Sequence, residues 1–252
     1  MASYTNHISG WEGIGSQFLI IIRAILYTEI HGGHFAYTEP SWSNVYSKEE
    51  ASAVNNMINI KDNYPDAVPY SIVIDRPLTY SFVDSHTDMC YNSPSMGKIK
   101  KLFFEKNSTP FGDGFHVVVH IRRPSSNPNI DIPSMNTCGG EVKHLDDFSV
   151  DQTDRFTSDG YFLKIIESIR KTHPSATFHI CSDGHPELFK NFIADDTVFH
   201  INEPVVPTFQ MMVFSNILIT SKSTFSYTAA LFNPNEVRYT RCWHTPVTHW
   251  IS

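Results

Sequence analysis

Phe115-His116-Val117-Val118-Val119-His120-Ile121-Arg122-Arg123 is the stretch that decides the fold. Phe115 to Ile121 is a near-continuous run of apolar and β-branched residues, the composition of a strand covered on both faces and therefore of a parallel sheet. It closes on adjacent arginines. A second apolar run, Ile217 to Ile219, closes on Ser221-Lys222-Ser223-Thr224-Phe225-Ser226-Tyr227, a cluster of hydroxyls ahead of a helix. In an open α/β sheet, ligands lie beyond the carboxyl ends of strands, where both segments fall. A guanidinium offers a fork of donors that matches phosphate oxygens. Hydroxyls and the N–H groups of a helix start offer more. The two segments together predict a site for a bound phosphate.

Outward from this strand, Tyr161 to Arg170 has helical spacing, with Ser158 or Asp159 as N-cap. Thr177 to Cys181, Val198 to Ile201, Ile217 to Thr220 and Val237 to Tyr239 read as strands. Pro186 to Ile193, Thr208 to Phe214 and Phe225 to Phe232 read as helices. Strands alternating with helices predict an α/β fold with a parallel sheet. Residues 124–150, rich in Pro, Ser, Asn and Gly, read as a long loop, which in a compact domain is functional or disordered. Toward the N-terminus, Gly13-Ile14-Gly15-Ser16-Gln17 leads into a helix from Phe18 to Ile30, closed by Gly32-Gly33. Phe35 to Tyr37 reads as a short strand stopped by Pro40, Glu49 to Ile60 as a helix, Tyr70 to Ile74 as a strand. Asp84 to Pro94 reads as irregular and Met96 to Phe104 as a helix.

The chain has 252 residues, room for one large or two small domains, and its 41% hydrophobic content is ample for a core. A net charge of -7 with a pI near 6.0 argues against a nucleic-acid surface, which needs a basic footprint. An arginine pair inside an acidic protein fits a small anion better. Cys90, Cys138, Cys181 and Cys242 are far apart with no C-x-x-C pair, so reduced thiols in a cytosol-like compartment are expected. No secretory signal or membrane-length apolar run is visible, and a cytoplasmic location without a membrane span is expected. Nothing in the pattern fixes an oligomeric state.

Each motif has two readings. Gly13 to Gln17 is either a cradle for a diphosphate at a helix start or a tight turn. Alternation puts Arg122 and Arg123 on opposite sides, so one faces a ligand while the other braces the loop. His120 shares a side with Arg122, as a base or as a hydrogen-bonded structural group. In Ser182-Asp183-Gly184, Asp183 either accepts hydrogen bonds from a ribose or base, or belongs to an ordinary turn. Ser223 or Thr224 serves as N-cap, a role compatible with phosphate binding because both use the same orphan N–H groups. There is no G-x-S-x-G, H-E-x-x-H or Walker lysine loop. His31 with His34, and His244 with His249, lack the spacing of a zinc site. No Asp-x-Asp stands at a strand end, so no metal is expected.

In this order, the elements resemble the fucosyltransferase-like glycosyltransferases of the GT-B type. The matching segments are Gly13 to Gln17, His120 to Arg123, Ser182-Asp183 and Ser221 to Ser226, with Tyr227, Ala229 to Leu231 and Trp243-His244-x-Pro246 in support. The likeness covers the second half well and the first half only at its glycine start. It implies two facing Rossmann-like halves with a ligand cleft, residues 1–110 on the acceptor side and 111–252 binding the nucleotide sugar. It implies inverting, metal-independent transfer to a glycan hydroxyl, with a nucleotide-sugar donor as substrate and no cofactor. Arg122 or Arg123 would grip the diphosphate, and Ser221, Ser223, Thr224 and Phe225 would close around it. Asp183 would lie near the nucleoside, and Gly13, Gly15, Ser16 and Gln17 would face the sugar or acceptor. The loop after the arginines offers Asp131 as general base, followed by Glu141, His144 and Asp146, with Asp75 and Asp84 as rivals. Ser16, Pro124-Ser125 and Gly184 depart from the family pattern around the donor. They leave GDP-fucose and a UDP-pentose such as UDP-xylose both open. A binding module without catalysis is the alternative from another class; a kinase-like or phosphatase-like enzyme is disfavoured by the missing loops.

Overall fold

In a computed structural model of the chain, residues 3–7, 12–40, 47–69, 71–123 and 156–252 are described. The expected loop at 124–150, with Asp131, Glu141, His144 and Asp146, lies outside them. The chain divides into two compact units, Met1–Ser108 with His244–His249, and Thr109–Trp243 with Trp250–Ser252. Each carries its own parallel sheet. Among the described residues no helix is long and apolar enough to cross a membrane.

In the first unit, β1 (Ser3–Thr5) runs between β2 (His34–Ala36) and β3 (Ile72–Val73). The helices are α1 (Ile14–Ile30), α2 (Lys48–Ile58), α3 (Arg76–Ser85), α4 (Thr87–Tyr91) and α5 (Pro94–Lys106). α1 is rich in isoleucine, a middling helix former. Burial holds it: Phe18, Leu19, Ile21, Ile22, Ile25 and Leu26 are fully enclosed, and each such side chain contributes about 1.5–3 kcal/mol. α2 begins in a capping box, with Ser47 Oγ accepting from Glu50 N–H and the Glu50 carboxylate accepting from Ser47 N–H.

Three expectations are corrected here. β1 was not foreseen, because a three-residue Ser-Tyr-Thr strand carries no pattern and takes its order from two flanking partners. The expected irregular stretch at 84–94 holds the end of α3, all of α4 and the Ser93 cap of α5. The break between α3 and α4 is local: Thr87 turns its hydroxyl back onto the Val83 and Asp84 carbonyls. α1 starts at Ile14 and not Phe18, so Gly15, Ser16 and Gln17 form its first turn rather than a loop ahead of it.

The second unit holds β4 (Phe115–His120), β5 (Ala176–Ser182), β6 (Thr197–Ile201), β7 (Ile217–Ile219) and β8 (Glu236–Arg238). All pair in parallel, in the order β6-β5-β4-β7-β8. Between them come α6 (Asp159–Thr172), a 3-10 helix (Pro186–Phe192, expected as an α-helix), α7 (Val205–Phe214) and α8 (Thr224–Phe232). Val117, Val118 and Val119 are all fully buried, so β4 is covered on both faces as its composition demands. Phe162, Ile166 and Ile169 of α6 and Phe189 and Phe192 of the 3-10 helix pack on the face bearing Val117 and Val119. The chain moves from β4 to β5 and β6 on one side, then returns to β7 and β8 on the other. The strand order therefore reverses between β4 and β7, which is where open α/β sheets place ligands.

Candidate functional site

The carboxyl ends of β4 and β7 are tied together at that switch point. His120 Nδ1 and Ser221 Oγ share a buried hydrogen bond of 2.7 Å, and the His120 ring meets Phe225 edge-on at 5.6 Å. Burial first, and the Arg122 charge second, push the His120 pKa down to about 3, so the imidazole is neutral at physiological pH. The serine loop is closed by its own hydrogen bonds. Ser221 N–H donates to Ser226 Oγ at 3.2 Å, Ser223 N–H to the Ser221 carbonyl at 2.7 Å, and Phe225 N–H to Ser223 Oγ at 3.2 Å. Ser223 is thus the N-cap of α8, whose positive end lies at the switch.

β5 contributes from the other flank. Ser182 Oγ, buried, donates to the Ile121 carbonyl at 2.5 Å and fixes the backbone just before Arg122. Asp183 follows with an exposed side chain, yet the protein packed around its carboxyl raises its pKa, against the opposing Arg122 charge. Arg122, half-buried, therefore acts electrostatically on both His120 and Asp183. Gly184 takes φ +120, a conformation open to glycine alone. Asn202 clasps it, accepting from Gly184 N–H at 3.0 Å and donating to its carbonyl at 2.9 Å.

The two arginines separate. Arg123 has a fully buried side chain whose guanidinium pairs with the Asp159 carboxylate and donates to the Thr157 and Arg122 carbonyls, each at 3.1 Å. Burial lowers its pKa to about 10, with Asp159 opposing. Asn191 Nδ2 adds a 2.8 Å bond to the same carboxylate. Arg123 thus braces the β4 end against α6 and the 3-10 helix, while Arg122 stands at the carboxyl edge of the sheet.

His120, Arg122, Asp183, Ser221, Ser223, Thr224 and Phe225 accordingly gather in the second unit. Gly13, Gly15, Ser16 and Gln17 belong to the first. Gly13 caps α1 with φ −67 and ψ 168, a conformation open to any residue, and Gln17 Nε2 donates to the Glu12 carbonyl at 2.8 Å. Asp131 lies outside the described residues.

The first unit also holds a polar cluster that the sequence reading missed. Arg23, fully buried within α1, donates to both Asp84 carboxylate oxygens at 2.6 and 3.1 Å and to Tyr91 Oη at 3.1 Å. Its guanidinium lies 4.2 Å from the Tyr80 ring centroid, and His244 Nδ1 is 3.5 Å away. Asp84, a rival for the base, is committed to this ion pair. Beside it, Arg76 pairs with Glu12 Oε1, while Glu12 Oε2 is buried with no hydrogen-bond partner among the described residues. The signal was a lone arginine in the run Ile20-Ile21-Ile22-Arg23-Ala24-Ile25, too polar for a helix enclosed on all sides unless a carboxylate meets it. Among the described residues, no group of three or more His, Cys, Asp or Glu side chains is placed to hold a metal ion.

No protein-family model matches the chain, and no curated protein does. Among solved structures, it is similar to NodZ α-1,6-fucosyltransferase co-crystallised with GDP, at 11% identity and TM-score 0.43 over 92% of each chain. It is similar to POFUT1 in complex with GDP, at 13% identity and TM-score 0.36, over 84% of this chain and 65% of that one. KpsC of Thermosulfurimonas dismutans, a β-Kdo 2,7 transferase, follows at 13% identity and TM-score 0.32, over 98% of this chain and 80% of that one. At these values none of the three transfers a substrate or a residue role to this chain.

Proposed function

We propose that the chain is a glycosyltransferase that moves a sugar from a nucleotide-diphosphate donor to a glycan hydroxyl, with inversion and without a metal ion. The observation that carries this reading is the convergence of Arg122, the Ser221–Phe225 loop and the N-terminal end of α8 at the switch point between β4 and β7. That combination is a receptor for a diphosphate: a forked cation, hydroxyls and a helix start. As the donor bond breaks, charge grows on the departing diphosphate, and preorganised donors stabilise it where it develops. Arg122 supplies the charge, His120 holds Ser221 in place as a neutral imidazole, and Asp183 stands where a nucleoside hydroxyl or base edge arrives. Fucose on GDP and a pentose on UDP are the two donor classes. The proton of the acceptor hydroxyl goes to a carboxylate, Asp131.

The test is donor turnover across a panel of GDP- and UDP-sugars, with product anomer and nucleotide affinity read together. Release of nucleoside diphosphate with one donor class, lost in Arg122→Ala, supports the reading. Tight nucleotide binding without hydrolysis or transfer over the panel replaces it with a binding module, and no nucleotide binding at all removes it.

A further inference from the structure

Three histidines that play no part in the switch-point site lie in a row across the second sheet. His116 Nδ1 is 3.1 Å from His179 Nε2, and His179 Nδ1 is 3.0 Å from His200 Nε2. They come from β4, β5 and β6 and cross the sheet diagonally, since His179 pairs in register with Val118 and His200 with Cys181. At one end, His116 Nε2 is 3.3 Å from the Gly112 carbonyl. Phe111 stacks on His116 at 4.4 Å with 8° between planes, and also meets His179 at 4.9 Å. Gly114, at φ +140, turns the chain beneath, where a Cβ would meet His116 Nε2 at 3.2 Å. Phe111 to Gly114 belong to the connection that enters β4.

Proton counting fixes the row. A carbonyl accepts only, so His116 Nε2 carries the hydrogen donated to Gly112. In a neutral imidazole the other nitrogen is then an acceptor. His116 Nδ1 accepts from His179 Nε2–H, and His179 Nδ1 accepts from His200 Nε2–H. All three rings are then Nε2–H tautomers, and among the described residues the lone pair of the row left without a donor is His200 Nδ1. A first added proton goes there without breaking a bond, but it puts charge on a ring whose burial disfavours it, so it too favours release. A second has to enter on His116 or His179, where it turns an acceptor into a donor that faces another N–H. Among the described residues, the titratable groups acting on the row are few. Glu203 acts on His200, favouring its charge, and on the Cys181 thiol, which burial pushes up to about 12; His116 and His179 face each other and Phe111.

We propose that the His116–His179–His200 row is an acid-operated latch, which holds the connection around Phe111 and Gly112 on the sheet when neutral and releases it on protonation. Burial, and then the neighbouring imidazoles, hold His179 down to about 4, and burial lowers His200 as well. Released histidines regain ordinary basicity near 6.5, so opening gains protons and is favoured as pH falls.

Amide hydrogen exchange on the full chain tests this. After correction for the intrinsic rate, protection of Phe111 to His116 should fall on the order of 10²-fold between pH 6.5 and 5, since two depressed histidines each contribute up to tenfold per pH unit. Ile219 in β7 and Ala229 in α8 should fall less over that range. His179→Phe keeps a ring and removes the titration, and His200→Gln, at the sheet edge, keeps a donor and removes one site. Either should flatten the fall, His200→Gln by about half on the same reasoning. Nitrogen-15 imidazole spectra at pH 7.5 give a check that needs no variant: all three rings as Nε2–H tautomers. Protection that tracks β7 and α8 throughout, an unaltered fall in both variants, or one Nδ1–H tautomer in the row overturns the latch.

Discussion

Replacing Arg123 by methionine separates the two arginines of the β4 end. The change keeps most of the stem volume and removes the charge. Asp159 is then left with its carboxylate almost wholly enclosed, at 8% side-chain exposure, and with Asn191 as a remaining donor. The Thr157 and Arg122 carbonyls each lose a donor as well. Breaking a buried pair by removing one partner costs about 3–5 kcal/mol, against a typical total near 5–15 kcal/mol. At roughly 2–4 °C per kcal/mol for a chain of this size, the transition of the second unit should drop by about 6–20 °C. Scanning calorimetry reads it, and nucleotide titration below the transition reads the site. Arg122→Ala should show the reverse: a small thermal shift, and donor turnover lowered on the order of 10²-fold because a bond to the departing diphosphate is gone. Arg123→Met with Asp159→Leu should recover much of the lost stability, since no uncompensated charge remains. An Arg123→Met protein that melts within about 2 °C of the parent, or an Arg122→Ala protein that loses as much stability, refutes the division of roles.

Acid should destabilise both units through neutral buried histidines. His120 and His244 are held at about 3 and His179 at about 4, all below the unfolded value near 6.5. The unfolded chain therefore binds these protons first; stability is complete above pH 6.5 and lost as pH falls toward 4, by up to about 1.4 kcal/mol per histidine per pH unit. Urea midpoints that stay constant from pH 7 to 5 contradict this. Asp131→Asn tests the candidate base: turnover should fall with donor KM little changed, and full turnover clears it. Excess chelator should leave activity intact, because protein cations stand in for an ion, and rescue of a chelated enzyme by manganese rules that out.

The parts of the fold legible in the sequence are those where a single segment carries the whole signal. Val117 to Val119 announce a strand buried on both faces without reference to any partner, and the alternation after it announces the parallel sheet. The order of the strands, and with it the switch point, makes the two motif ends neighbours. β1 was invisible because its strand character comes from β2 and β3 rather than from its own three residues. The Arg123–Asp159 pair spans 36 residues and the His116–His179 contact 63, so neither leaves a local pattern. Alternation did require the two arginines to point apart, yet it cannot say which one finds a carboxylate. The early start of α1 escaped because Ile14 is separated from the apolar run by Gly15, Ser16 and Gln17, a stretch that reads as loop until packing overrides the propensity of its glycine and serine.

Desolvation, more than charge, selects the residue to which a phosphate is assigned. Arg23 and Arg123 both have side chains at zero exposure, and each is met by a carboxylate from another element. A guanidinium so enclosed keeps its charge because carboxylate and carbonyl oxygens replace the lost water. An incoming diphosphate would have to displace those oxygens and leave a carboxylate buried alone, at a cost comparable to what the phosphate contact returns. Arg122 is half-buried at the sheet edge, beside Asp183 and a neutral His120. Burial works against the charge of Asp183, and no proton resides on His120 to compete for a ligand. That difference in enclosure between two adjacent residues is why we assign the diphosphate to Arg122 and the bracing to Arg123.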